Sequence, residues 1–207
     1  MALDLRELLD PRSTAVLTME LQRGVVGDLA AIPPLREAVE AENVLPNTAR
    51  LLAGARGVGA RVVHCTAMFR ADRAGSPVNY PFAAASQRKP VALVIGSPEV
   101  EVVPDLAREA SDLESARLHG MAPFIGTNLD PTLRAEGIRT VVATGVSVNI
   151  GIFGLTLEAV NFGYRVVIAT DCVTGLPADY SAAVLKNSLS LLATQLTSPQ
   201  ILDIWEG

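Results

Sequence analysis

The chain is poor in several residue types, and each shortage removes a class of function. Aromatic residues make up 4% of its 207 positions, too few for a platform on which bases stack. It has two histidines, His64 and His119, and two cysteines, Cys65 and Cys172. No cluster has the spacing of a metal-ligand set, so neither metal nor cofactor is expected. Both cysteines fall in or just after expected buried strands, which argues for free thiols rather than a structural disulfide. There is no Lys/Arg run: 17 basic and 22 acidic residues give a net charge of −5, so nucleic acid or an anionic membrane is not an expected partner. No stretch is long and apolar enough to span a bilayer, and the segment MALDLRELLDPRS carries charge throughout without the apolar centre of a secretory signal. The expected location is cytoplasmic, with a small-molecule substrate and further copies of the chain as partners.

What the chain has in quantity is apolar residues, 49%, ample for one large core. Apolar, β-rich runs alternate with helical stretches from end to end. That pattern predicts a single α/β domain over residues 1–207, a three-layer α/β/α arrangement around a six-stranded parallel sheet. The strands are expected at Thr14 to Glu20, Ala60 to Thr66, Leu113 to Leu118, Arg139 to Thr144, Arg165 to Thr170 and Ala193 to Thr197. Helices are expected over Asn47 to Arg56, from an Asn128 or Asp130 cap to near Gly137, and over Asn149 to Phe162 and Ser181 to Leu192. Phe69 to Val100 shows little periodicity. It follows the second strand and so lies over the carboxyl edge of the sheet, where open α/β folds bind ligands.

The residues just past the strand ends are therefore the candidates for chemistry. They are Glu20 and Arg23 after the first strand, and His64, Cys65, Arg70, Asp72 and Arg73 at and after the second. His119 and Phe124 follow the third, and the turn GVSVNIGIFG, with Ser147, Asn149, Ile150 and Gly151, follows the fourth. Alternation along RVVHCTA points His64 and Cys65 to opposite faces. Arg23 and Arg70 above a pocket mouth suit a carboxylate, although Arg70, Asp72 and Arg73 also read as a solvated loop. Glu20 beside Arg23 also reads as a surface ion pair. Asn149 suits a helix cap or a ligand contact.

Three segments resemble one family in order: AVLTMELQRG, HGMAPFIGTNLDPTLRAEGIRTVVATGVSVN and AVNFGYRVVIATDCVTG. The resemblance is to the isochorismatase-like hydrolases, also called cysteine hydrolases, and it runs from about Thr14 to Trp205. Members of that family work with a strand-one Asp, a Lys after strand three and a Cys opening the helix after strand four. By position these fall on Glu20, Leu118 and Gly151. The resemblance thus implies the fold and pocket but not amide cleavage through a thioester, which needs the thiolate. It implies instead the route of members with glycine at the thiol position, which resembles proton transfer from the strand-one carboxyl group. Glu20 would then be the acid/base, with Leu118 desolvating it and His119 replacing the missing cation when protonated. The resemblance also implies a cis peptide at Val146 to Ser147, with the N–H groups of Ile150 and Gly151 turned to an anion at a helix N-terminus. Together with the apolar VALVIG stretch near Val91, it implies a homodimer or homotetramer. Two alternatives stand beside this reading: a degenerate member that binds a small molecule or serves as a structural subunit, and thiol catalysis from Cys65.

Overall fold

The apolar runs form strands covered on both sides, which is why Thr14–Met19 and Thr140–Val146 are buried along their whole length. The structure is a computed structural model describing residues 4–86 and 92–207. In chain order its elements are α1 (Leu5–Leu8), β1 (Thr14–Met19), α2 (Pro33–Ala41), α3 (Val44–Gly57), β2 (Arg61–Ala67), α4 (Pro81–Ser86) and β3 (Leu113–Arg117). There follow α5 (Leu129–Ala135), β4 (Thr140–Val146), α6 (Phe153–Asn161), β5 (Arg165–Thr174), α7 (Ala178–Asn187), β6 (Thr194–Leu196) and α8 (Ser198–Glu206). The sheet order is β3-β2-β1-β4-β5-β6, and every pairing is parallel.

Strand alternation sorts the core into two layers. Val16, Val62, Val142 and Val167 pack on one face with Leu35, Val39, Leu51, Leu52 and Ile201, which come from α2, α3 and α8. Leu17, Met19, Val63, Cys65, Val141 and Ala143 pack on the other with Leu129, Leu133, Leu155 and Val184, from α5, α6 and α7. Because β1 leads to β2 on one side while β4 lies on the other, the order reverses between β1 and β4. The ligand crevice of such a sheet opens at that point, beyond the carboxyl ends of the strands. The two strands are closest at Gly145, where a Cβ would stand 2.2 Å from the Met19 carbonyl; only glycine fits.

Several elements differ from the sequence expectation: α2 was not among the expected helices, and α7 runs from Ala178 to Asn187 rather than from Ser181 to Leu192. The helix expected from Asn149 opens instead as a π-type turn, Val148–Ile152, and becomes α-helical at Phe153. Strand β5 runs on to Thr174, with a register shift opposite Ala143 and Gly145 that lets residues 169–172 bulge. The bulge carries Asp171 to the start of α8, where it accepts hydrogen bonds from the Ser198 N–H and hydroxyl, both 2.7 Å. That helix was not among those expected, although its capping box, Thr197 with Gln200, is written in the sequence.

His64 is fully buried on the α3 face. Its Nδ1 lies 2.8 Å from Thr18 Oγ1 and its Nε2 3.3 Å from Asp112 Oδ2, while Arg56 Nη2 donates to the same oxygen at 2.7 Å. Burial holds the imidazole below its ordinary value, against the pull of Asp112. Burial would raise Asp112, but donation from Arg56, the Glu109 N–H and His64 outweighs it, and the carboxyl titrates below its ordinary range. Both groups therefore bind protons more readily in the unfolded chain. Their stabilisation is full above about pH 6.5 for His64 and 3.8 for Asp112, and is lost as pH falls towards each folded value. Urea midpoints should accordingly fall between pH 7 and 4.5, and a His64→Gln variant should show a flatter fall over that interval.

Candidate active site

Glu20 follows the last residue of β1 in the left-handed region, φ 53°, with its N–H donating to the Cys65 carbonyl at 3.0 Å. This turns its side chain off the strand axis and along the carboxyl edge of the sheet. There it meets a partner that the sequence reading missed. Arg117, the last residue of β3, reaches across β2 and donates from Nη2 to Glu20 Oε1. Two strand spacings separate β1 from β3, about 9–10 Å, so two long side chains are needed to close the gap. The guanidinium is 4% exposed and the carboxylate 16%. Nε donates to the Gly120 carbonyl at 3.2 Å, whereas Nη1 is buried with no hydrogen-bond partner among the described residues. Among them, too, no donor reaches Glu20 Oε2.

Several sequence expectations change on this geometry. Leu118, expected to desolvate Glu20, is 37% exposed, and its carbonyl accepts from Ser76 Oγ at 2.6 Å. His119 lies against Gly126 in the following loop, and the cation beside Glu20 is Arg117. Arg23 binds Asp28 at 2.7 Å and Glu101 at 2.8 Å, so it does not pair with Glu20. Arg70 is held by Asp72 at 2.7 Å. Phe124 does not line a crevice; it is buried against Phe162 and Tyr164, with ring centroids 5.5 and 5.7 Å away. His64 is closed into the network beneath α3, and Val91 lies outside the described residues.

A signal for Arg117 is present in the sequence. A cation closing an otherwise half-apolar strand, LESAR, must find a partner if it is buried. What hid it is the register: it stands one residue before the family's lysine position.

The turn after β4 keeps a cis peptide at Val146–Ser147. The Ile150 N–H donates to the Ser147 carbonyl at 3.1 Å, so it is spent within the turn rather than offered to a ligand. Asn149 Oδ1 is buried without a partner among the described residues, as is the hydroxyl of Ser181; both stand near Gly175, whose absent Cβ would lie 3.1 and 2.8 Å from them. Gly151 is buried above Met19, and a Cβ there would stand 2.6 Å from the Val146 carbonyl. Beside it the sheet supplies no substitute thiolate: burial pushes the Cys65 thiol up to about 12, despite the nearby Arg117 charge. The Gln22 amide ties this edge together, donating to the Ala67 and Val100 carbonyls and accepting from the Ala67 N–H.

Fold and site together define a doubly wound α/β protein with a largely buried carboxylate–guanidinium couple at the carboxyl edge of its sheet. Residues 14–200 match the isochorismatase domain family, and the chain belongs to that family. It is 25% identical to the uncharacterized isochorismatase family protein YwoC of Bacillus subtilis, covering 94% of this chain and 95% of that one. It is 29% identical to the maleamate amidohydrolase of Pseudomonas putida, over 78% of this chain and 72% of the other. Among solved structures, an isochorismatase family protein of Burkholderia thailandensis superposes with a TM-score of 0.78 at 25% identity, covering 95% of this chain and 97% of that one.

Two outcomes follow from the packing. Gly151→Cys should lower stability by about 1–3 kcal/mol, because the added atoms overpack the turn, and should confer no amidase activity; thermal unfolding and an amide assay check both. Iodoacetamide should leave Cys65 unmodified in the folded protein and label it after unfolding, since the thiolate is the reactive species; Cys65→Ala should keep full activity.

Proposed function

We propose that the chain is a hydrolase of small molecules that works without a cysteine nucleophile, with Glu20 as its acid/base and Arg117 as the charge that holds it. The observation that carries this reading is the buried Glu20–Arg117 pair at the carboxyl edge of β1 and β3. A couple of this kind, largely withdrawn from water, is costly to bury unless it is fully hydrogen-bonded. Here one donor, Nη1, is left over.

The chemistry follows from the geometry. Oε1 is engaged by Arg117, leaving Oε2 to take a proton from an attacking water or to return one to the departing group. Arg117 stays charged through that exchange, because a guanidinium does not deprotonate in proteins. Gly151 brings the turn close to Met19 without adding a side chain, and Ser147 and Asn149 flank it. The amidohydrolase names of relatives such as the maleamate enzyme support a hydrolytic reading of the family. A carboxylated substrate, by contrast, loses the support it drew from Arg23 and Arg70, both of which are held by acidic neighbours.

A panel of vinyl ethers, amides and lactones assayed against wild type, Glu20→Gln and Arg117→Met tests this. Both variants should lose about 10²- to 10⁴-fold in rate, the range for removal of general acid–base catalysis. Activity in Glu20→Gln equal to wild type would sink the proposal.

A further inference from the structure

At the opposite, amino edge of the sheet the chain gathers positive charge, although its net charge is −5. A cleft of about 350 Å³ opens there, and its lining includes Glu7, Arg134, Arg139, Phe162, Tyr164 and Arg165. Short contacts hold these residues together. Arg139 stands just before β4 and Arg165 opens β5, and the Arg165 N–H donates to the Arg139 carbonyl at 2.9 Å. Arg134 donates from Nη2 to the Phe162 carbonyl at 2.9 Å and lies over the Tyr164 ring, 5.5 Å from its centroid. The three guanidinium groups are not equally engaged. Arg134 is bound by Asp130 at 2.9 Å, and that carboxylate also accepts from the Tyr164 hydroxyl at 2.8 Å, so this side is a fixed wall. Arg165 has a looser partner in Glu7, 3.4 Å away with its side chain 72% exposed, and an exposed pair of that kind contributes little. Arg139 is exposed, makes no ion pair among the described residues, and donates to the Ser13 hydroxyl at 3.5 Å. Asp10, which feels its charge, is held by Arg12 at 2.9 Å. Residues 1–3 and 87–91, outside the described ones, read MAL and QRKPV and contain no acid that could neutralise it.

We propose that this cleft binds a phosphate monoester with a flat apolar body, the phosphate between Arg139 and Arg165 and the body against Phe162, which is 37% exposed. Two neighbouring planar guanidinium groups present paired donors that match phosphate oxygens, and a recess in the surface concentrates their field. Glu7 marks the place from within the chain: its carboxylate already approaches Arg165, and a dianion that also engages Arg139 displaces it. The volume lies at the small end of ligand pockets, which suits one phosphate and one ring system. Strand β4 is 7 residues long, so the cleft lies about 20 Å from the Glu20 edge, and its occupant is independent of the reaction proposed there.

The test is calorimetric titration of the full chain with phenyl phosphate, inorganic phosphate and phenol. Phenyl phosphate should saturate one site and bind about fivefold or more tighter than either of the others, the effect of withdrawing roughly 40 Å² of apolar surface from water. Arg139→Gln and Arg165→Gln should each weaken phenyl phosphate about tenfold, as expected for loss of a charge-assisted hydrogen bond. Glu7→Gln should strengthen it about two- to fivefold, a gain that a damaged fold cannot produce. Arg36→Gln, which removes a charge on α2, should leave the affinity unchanged. Absence of saturable phenyl phosphate binding overturns the proposal. So does equal weakening by Arg36→Gln, which would reduce the effect to net charge. Inorganic phosphate or phenol binding as tightly as phenyl phosphate overturns it as well, because the cleft would then recognise only half of the ligand.

Discussion

Strand β1 is hydrogen-bonded on both sides, to β2 and to β4, and the site depends on that central position. A central strand is buried on both faces, so its side chains are confined to two packed layers and only its last residue is released to the edge. The residue that follows it, Glu20, stands at that edge. The close approach of β1 and β4, which admits only glycine at Gly145, brings the turn with Gly151 directly above Met19. A shift of β1 by one residue would exchange the layers and withdraw the carboxylate from the crevice.

The Glu20–Arg117 pair joins two positions at which the resemblance implies other residues. Relative to the usual aspartate and lysine, the carboxyl group here is one methylene further from its backbone, and the cation starts one residue earlier, on the strand itself. Taken singly, each looks like a defect. Together they are compensatory: the longer acid and the long planar guanidinium meet across two strand spacings, and a cation too short for that distance would leave both charges buried and unpaired. Glycine at 151 fits the packing of the turn above the same edge. The turn is packed so closely on Val146 and Met19 that it has no space for a side chain.

Much of the architecture was legible along the chain. The alternation of apolar runs with helical stretches reports a buried parallel sheet because a strand covered on both faces must be apolar throughout, and all six strands fall where the runs are. The elements that escaped did so for local reasons. Helix α8 is held by Asp171 from a bulge in β5, a register shift no periodicity announces. The π-type turn at Val148–Ile152 has the same composition as the first turn of an ordinary helix.

The sequence by itself determined the fold and made the carboxyl edge and Glu20 candidates for chemistry, because these depend on pattern and residue identity. Tertiary structure alone decided which neighbours those residues have. It put His64 under α3 with Asp112 rather than in the crevice, spent Arg23 and Arg70 on adjacent acids, turned Leu118 outward and brought Arg117 in. The physical reason is that successive residues at a strand end point to opposite sides. One position in the sequence therefore separates a buried ion pair from an exposed leucine, and only the packed sheet determines which of the two faces inward.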